Sequence, residues 1–339
     1  MRALVYEGNK KLTIKNLPKP QIKADEVLIR VSYVGICGSD MVAWNGNYPR
    51  VNPPVTLGHE FSGTIVEVAN ANSEYTIGQK VVVEPLASCG KCEACESGHY
   101  NRCSKLTLIG IDFDGGMAEY VVASEYQVHS LPDSVDAQSA ALIEPLAVVV
   151  HMINQVEVKE SDKVLVVGGG PIGLIAALVL RSYGADVHIS EINEFRLQTA
   201  KNLGFNVIDS KEIKVPKFVE KEIPEGVAFS FEVTGSSIGL NDCILSTKPG
   251  GTVLIAGVTQ TSELNVYEVI KRELLIKGTR VYTSEDYRSA IELLATKSFD
   301  AQDVISKVIN LEDGLEGAFQ AIEDGNPIVK VLLSVENEV

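Results

Sequence analysis

A doubly wound, parallel α/β domain inserted into a split, mainly β domain is the fold class this sequence predicts. Three observations predict it. From about Leu142, apolar runs bounded by glycine alternate with helical segments. A glycine turn, Gly168-x-Gly170-x-x-Gly173, joins one of those runs to a helix. Before this block stand short strand-like runs separated by turn residues, and mixed structure follows it.

The 339 residues are enough for about two domains, and 45% hydrophobic with 22% charged residues excludes a disordered or collagen-like chain. Lys plus Arg number 30 against 45 for Asp plus Glu, so the net charge of −15 repels nucleic acid and anionic lipid. The opening MRALVYEGNKKLTI places charges where a secretory signal or anchor needs an apolar run. The longest apolar window, Val164 to Leu180, is broken by Gly168, Gly169, Gly170, Pro171 and Gly173. A soluble, cytoplasmic protein with neither nucleic-acid nor membrane partners is the expectation.

In chain order, LTIKNLP, EVLIRVSYVGI, GTIVEVA and KVVVEP read as strands of an antiparallel, barrel-like domain. A loop-rich stretch from Ala87 to Gly116 follows, and AEYVVASEYQVHSLP adds one or two strands. Then KVLVVGG, DVHISE, NVIDS, VAFSFEVTG, GTVLIAG and LLIKGTRVY read as parallel strands, with helices over PIGLIAALVLRSYG and NEFRLQTAKNLG. At the end, SEDYRSAIELLATK and LEGAFQAIEDG read as helical, DVISKVINL and IVKVLLSV as extended. The expected boundaries are 1–145 with 280–339 for the outer domain, including a cysteine lobe at 87–104, and 146–279 for the inserted one. Hinges are expected near Glu144 and Gly278.

In the glycine turn, the first glycine permits a tight bend, the second lets a pyrophosphate approach the backbone, and the third allows close helix–strand packing. Eighteen residues past Gly173, Glu191 ends the next strand and would accept the adenosine ribose hydroxyls while repelling a 2′-phosphate. NAD rather than NADP is the expected cofactor, with Arg196 able to offset part of that repulsion. A glycine turn without nucleotide is the plainer alternative, against which strand, helix and acid all stand in register.

Of six cysteines, Cys89, Cys92, Cys95 and Cys103 form C-x2-C-x2-C-x7-C, the spacing of thiolates wrapping one tetrahedral ion in a closed, structural site. His99 in place of one cysteine, or a thiol redox switch, remain open. Cys37 in Gly-Ile-Cys-Gly-Ser-Asp and His59 with Glu60 in Gly-His-Glu offer a thiolate, an imidazole and a carboxylate, a set that suits zinc and leaves a position for a substrate oxygen. Singly, each has a bland alternative: a small buried cysteine, a turn histidine, a solvated acid. Glu144, before Pro145 in an apolar stretch, needs a partner that a metal or polar active site would supply; a helix-start acid is its alternative. His99, His129, His151, His188 and Cys243 read as packing or surface residues.

These motifs occur in the order seen in zinc-dependent medium-chain alcohol dehydrogenases, which the chain resembles over essentially its whole length, nearest to the polyol (sorbitol-like), threonine and 2,3-butanediol dehydrogenases. The resemblance implies a GroES-like catalytic domain around a Rossmann domain, NAD in the cleft between them, two zinc ions per subunit, and a homotetramer or homodimer. By position, Cys37, His59 and Glu60 match catalytic zinc ligands, Glu144 an acid that ligates zinc or contacts substrate, and Cys89, Cys92, Cys95 and Cys103 the structural zinc site. Ser39 matches the hydroxyl that passes the alcohol proton outward. Gly168, Gly170, Ile172, Gly173, Glu191 and Arg196 match cofactor contacts, and Gly257, Val258 and Thr279 should approach the nicotinamide half. The implied reaction is reversible oxidation of a secondary alcohol of a polyol, sugar alcohol or diol by hydride transfer to NAD.

The departures bear on substrate. Val42 stands where many relatives carry a relay histidine, and Ala43 where sorbitol dehydrogenases place a tyrosine. Val281-Tyr282 replaces an Arg-Tyr pair, leaving Tyr282 as a substrate contact and Arg280 one residue out of register. L-Threonine, 2,3-butanediol and a polyol phosphate met by Arg50 or Arg280 remain alternatives, as does a non-enzymatic zinc and nucleotide sensor.

Overall fold

The structure, a computed structural model, describes residues 1–336 and divides into two compact units. One comprises Met1–Pro145 with the described residues from Thr283 onward; the other is Leu146–Tyr282. The first junction falls inside the helix Ile143–Ile153. At the second, the Thr279 amide still bonds the Ile255 carbonyl of the inserted unit at 3.0 Å, whereas Thr283 already caps the helix Ser284–Ala295 of the outer unit.

The inserted unit is built on six parallel strands in the spatial order Asn206–Asp209, Asp186–Glu191, Lys163–Val167, Val227–Glu232, Thr247–Ile255, Leu275–Gly278. Lys163–Val167 comes first in sequence yet lies third in the sheet, so the order reverses beside it, the usual place for a nucleotide crevice. Both faces are covered, and its strands are accordingly near-continuous apolar runs such as KVLVV. On one side, Leu165, Val167, Ile208 and Val253 pack against Val215 and Val219 of the helix Val215–Glu222 and Leu240 and Ile244 of the helix Ser237–Ser246. Neither helix is among those expected from the sequence, although the apolar residues of the first, Val215, Phe218 and Val219, recur at helical spacing. The first is largely charged and buries only Val215 and Val219, one turn apart, while the second carries Ser and Gly and starts because the Ser236 side chain accepts the Gly239 amide.

The outer unit is organised around one strand, Glu26–Gly35, which pairs with Glu60–Val68, with Tyr120–Ser124 and with the late strand Lys330–Ser334 in a seven-stranded sheet. Its register sets Gly35 opposite Glu60 on one side and opposite Leu332 on the other. The turns that begin just past Gly35 and end just before Glu60 are thereby brought to the same end of the sheet. The core beneath them includes Val31, Val34, Phe61 and Ile65, with Trp44 tilted against Phe319 at 5.7 Å. The tail segment LEGAFQ, expected to be helical, is wound as a π-helix over Leu315–Gln320. Among the described residues, no helix is long and apolar enough to cross a membrane.

Candidate metal centre and cofactor turn

Cys37 follows the central strand and is the N-cap of a short helix, Gly38–Trp44, which the sequence reading leaves unassigned. The helix starts there because Asp40, three residues on, reaches back to accept the Cys37 amide at 2.8 Å, half of a capping box. The other Asp40 oxygen accepts the Gly58 amide at 3.3 Å, so one buried carboxylate ties the Cys37 turn to the His59 turn. The result is a cluster in which the donor atoms of Cys37, His59 and Glu60 lie within 4.8 Å of one another.

His59 is buried, with Nε2 3.3 Å from Ser39 Oγ and Nδ1 3.8 Å from Asp40 Oδ1. That Nδ1 has no hydrogen-bond partner, and a ring presenting one nitrogen to a donor cluster and the other toward a carboxylate has the arrangement of a metal-ligating histidine. Burial alone would lower the imidazole, but the neighbouring Cys37 and Asp40 outweigh it and hold it well above the ordinary histidine value. The acidic surroundings that raise it would equally favour a bound cation, and a thiol, an imidazole and a carboxylate form a donor set that fits zinc.

Glu60 is paired with Lys330, whose amine is also buried and donates to the Ile36 carbonyl at 2.8 Å. Burial would lower the Lys330 amine, yet Glu60, Cys37 and Asp40 keep it raised. Gly35 makes this pairing possible: a Cβ there would stand 2.3 Å from Glu60 Oε2. Glu144 is buried but is not among the three clustered donors; its charge acts on His59 and on buried Tyr287 from outside that set.

The four cysteines of the lobe also converge, with donor atoms within 4.8 Å and Cys92 Sγ 3.4 Å from Cys95 Sγ. All are free thiols, and His99 is not in the set. The Ser88 hydroxyl helps to lower Cys95 to about 6, toward the thiolate that binds metal. Glu84, which the sequence reading passed over, anchors the lobe. Its buried carboxylate accepts Tyr100 Oη from the lobe and Ser284 Oγ at 2.5 Å, and lies 3.3 Å from His129 Nε2. Arg50 ties into the loop that follows the lobe: its guanidinium donates to the Leu106 carbonyl at 2.7 Å and sits 3.5 Å from Asp112.

In the inserted unit, the expected cofactor residues gather at the carboxyl ends of the strands. Gly168 and Gly170 leave Lys163–Val167, and Gly170 caps the helix Pro171–Ser182, which holds Ile172 and Gly173 in its first turn. A Cβ on Gly173 would stand 1.8 Å from the Gly168 carbonyl oxygen, so the close helix–strand approach requires glycine. Glu191 is buried and accepts the Gly169 amide at 2.8 Å, Ile192 at 2.6 Å and Asn193 at 2.9 Å, while Arg196 Nη1 lies 3.8 Å from its Oε2. Gly257 follows Thr247–Ile255 and Thr279 follows Leu275–Gly278. Val258 is 98% exposed, and Thr279 Oγ1 is buried without a partner. A glycine cradle at a helix N-terminus, a fixed acid and an orphaned hydroxyl fit a dinucleotide. Arg280 is exposed and Tyr282 wholly buried, with Val281 between them at a φ of 41°.

Residues 23–133 match the alcohol dehydrogenase GroES-like domain family and residues 171–296 the zinc-binding dehydrogenase family. A sorbitol dehydrogenase of Halalkalibacterium halodurans is 36% identical over 344 residues, covering 98% of this chain and 99% of its own. A 2-dehydro-3-deoxy-L-galactonate 5-dehydrogenase of Pseudoalteromonas atlantica is 35% identical, covering 96% of each. The crystal structure of 2R,3R-butanediol dehydrogenase from Bacillus subtilis superposes with a TM-score of 0.92 at 30% identity over 99% of both chains.

Proposed function

The chain belongs to the zinc-dependent medium-chain alcohol dehydrogenases, and from that premise we propose that it oxidises a secondary alcohol of a polyol, sugar derivative or vicinal diol to the ketone. It is an NAD-dependent oxidoreductase of the polyol and diol dehydrogenases. The observation that carries the assignment of its site is the convergence of Cys37, His59 and Glu60 within 4.8 Å, with Ser39 against His59.

Cys37, His59 and Glu60 would hold the catalytic zinc, and Cys89, Cys92, Cys95 and Cys103 the structural one. When bound, zinc supplies a Lewis acid that makes an alcohol oxygen more acidic, and NAD supplies the hydride acceptor. The half-buried Ser39 hydroxyl takes the proton leaving the substrate and passes it outward. Val42, one turn along the same helix and 43% exposed, has no titratable group, so Ser39 works without an imidazole behind it. Asp40 sets a carboxylate 3.8 Å from the His59 ring and holds the two ligand turns together. The N-terminal amides of Pro171–Ser182 receive the pyrophosphate, and Glu191 the ribose hydroxyls, which favours NAD over NADP. Glu144 serves as a nearby negative charge facing His59 rather than as a standing ligand.

The working form is a homodimer or homotetramer. Support comes from apolar side chains left exposed along one edge of the inserted unit: Val266, Tyr267 and Ile270 on one helix and Leu275 on the edge strand. Free thiols held for metal suit the cytoplasm, where they stay reduced.

The test is NAD reduction at 340 nm by zinc-loaded protein against polyols, vicinal diols, sugar acids, L-threonine and simple alcohols, with Cys37→Ser in parallel. Turnover of one class, lost in Cys37→Ser, is expected. Turnover that survives in Cys37→Ser would overturn the assignment of the site.

A further inference from the structure

Lys330 is the one lysine or arginine in the buried interior among the described residues, and no step assigned above uses it. Its strand, Lys330–Ser334, lies beside Glu26–Gly35 with Leu332 opposite Gly35, and its amine spans two parts of the donor cluster. One contact is the carbonyl of Ile36, the residue that leads into Cys37; the other is the carboxylate of Glu60. The pocket around the pair is closed, because a Cβ added to Gly35 would meet Glu60 Oε2 at 2.3 Å and Lys330 Cε at 3.1 Å. Glu60 and the amine therefore lie together against the bare backbone of Gly35.

Charge points the same way. Glu60 and Asp40 are buried acids beside Cys37, and among the described residues Lys330 is the one buried ammonium set against them. A carboxylate whose one oxygen is held by a fixed ammonium has only the other to offer a metal.

We propose that Lys330 is a positioning residue of the metal centre: by retaining one oxygen of Glu60 it limits that carboxylate to single-oxygen ligation and so keeps a coordination position open for substrate. The proposal rests on the reading of Cys37, His59 and Glu60 as ligands. Charge compensation without the lateral grip would not restrict denticity, which separates this role from a structural one.

The experiment uses full-length protein in which cobalt replaces the catalytic zinc, with the Cys37→Ser spectrum subtracted to remove the four-cysteine site. Wild type, Lys330→Met and Lys330→Arg are compared by visible absorbance, by the rate of cobalt loss to a chelator, and by KM and kcat. In Lys330→Met the second Glu60 oxygen joins the metal. The visible band, intense at low coordination number, should fall at least twofold, and KM for the alcohol should rise about tenfold or more, beyond any change in kcat. Lys330→Arg should restore the band. A folded Lys330→Met with an unchanged band and unchanged cobalt loss overturns the proposal, as does a Lys330→Arg band equal to that of Lys330→Met. If Lys330→Met does not fold, Lys330→Gln, which keeps a donor for Ile36 but no charge, is judged by the same criteria. Retention of both metals in Cys37→Ser would overturn the ligand reading itself, a result distinct from either outcome at Lys330.

Discussion

The carboxylate of Glu191 accepts the backbone amide of Gly169 at 2.8 Å, so the acid that ends one strand of the parallel sheet is clamped to the glycine turn that leaves its neighbour. Two more amides, from Ile192 and Asn193, fix it in place. A ligand hydroxyl entering this site meets an acceptor already oriented, and an added phosphate meets a buried negative charge.

Replacing Glu191 with Ala should therefore lower the preference for NAD over NADP, as the ratio of kcat/KM values, by at least about tenfold, or roughly 1.4 kcal/mol. Arg196, freed of its acidic neighbour, is then available to a 2′-phosphate. Steady-state kinetics with both cofactors decide it; an unchanged ratio places cofactor choice elsewhere.

Gly173→Ala and Gly170→Ala should behave differently. A Cβ on Gly173 stands 1.8 Å from the Gly168 oxygen, so the turn must open, and both thermal stability and NADH binding should suffer. On Gly170 the nearest atom to a Cβ is Arg196 Nη1 at 3.5 Å, an ordinary contact, so the apo fold should stand while NADH affinity alone falls. Calorimetry of the apo proteins and NADH fluorescence titration separate the two effects.

Cys103→Ser should leave one zinc per subunit by elemental analysis and lower the melting temperature. Cys103 is the buried member of its set, and loss of one ligand opens a closed tetrahedral site. Two zinc ions retained would exclude the four-cysteine lobe as a metal site.

Glu84→Leu should destabilise the same lobe from below. It strands the Tyr100 and Ser284 hydroxyls and removes the neighbour of His129, at a cost of about 1–3 kcal/mol for each buried group left unsatisfied. Limited proteolysis between Ala87 and Gly116 reports the loosening; wild-type resistance would show that the lobe stands without this anchor.

Asp186 gives a pH signature. Its hydrogen bond from Lys163, 2.8 Å long, is the main reason its carboxyl is held below the usual range. A lowered folded-state value means a contribution present above the unfolded value of about 3.9 and lost as pH falls through the folded one. Asp186 and Lys163 are well exposed, so the amount is small, about 0.2–1 kcal/mol. Asp186→Asn should be less stable than wild type in urea at pH 7, and the gap should begin to narrow as pH falls below about 3.9. A gap that does not narrow as pH falls below about 3.9 would assign the difference to packing.

The candidate metal donors are legible in the sequence because each sits in a short motif at a turn, and the parallel sheet because its strands are apolar runs closed by glycine. What surrounds the donors is not legible. Lys330 meets Ile36 across 294 positions, and IVKVLLSV reads only as an extended run. Asp40 stands inside the Cys37 motif, yet its work, bridging two turns, depends on the strand register that sets Gly35 against Glu60. Glu84 reads as an acid at a strand end beside Pro85; its partners come from the lobe, from the strand Val128–Ser130 and from a helix 200 positions away. Buried polar groups are specified by tertiary neighbours, which no local periodicity encodes.

The late strand Lys330–Ser334 also sets a schedule. During synthesis the ribosome releases Cys37, His59 and Glu60 first, then the whole inserted unit, and only after it the amine that pairs with Glu60. The nascent outer unit waits with an acidic, half-built cluster while the parallel sheet folds ahead of it as a unit. Completion of the cluster follows synthesis of the inserted unit, and a chain stalled or clipped before Lys330 would carry a finished nucleotide fold beside a donor cluster whose Glu60 has lost its buried partner.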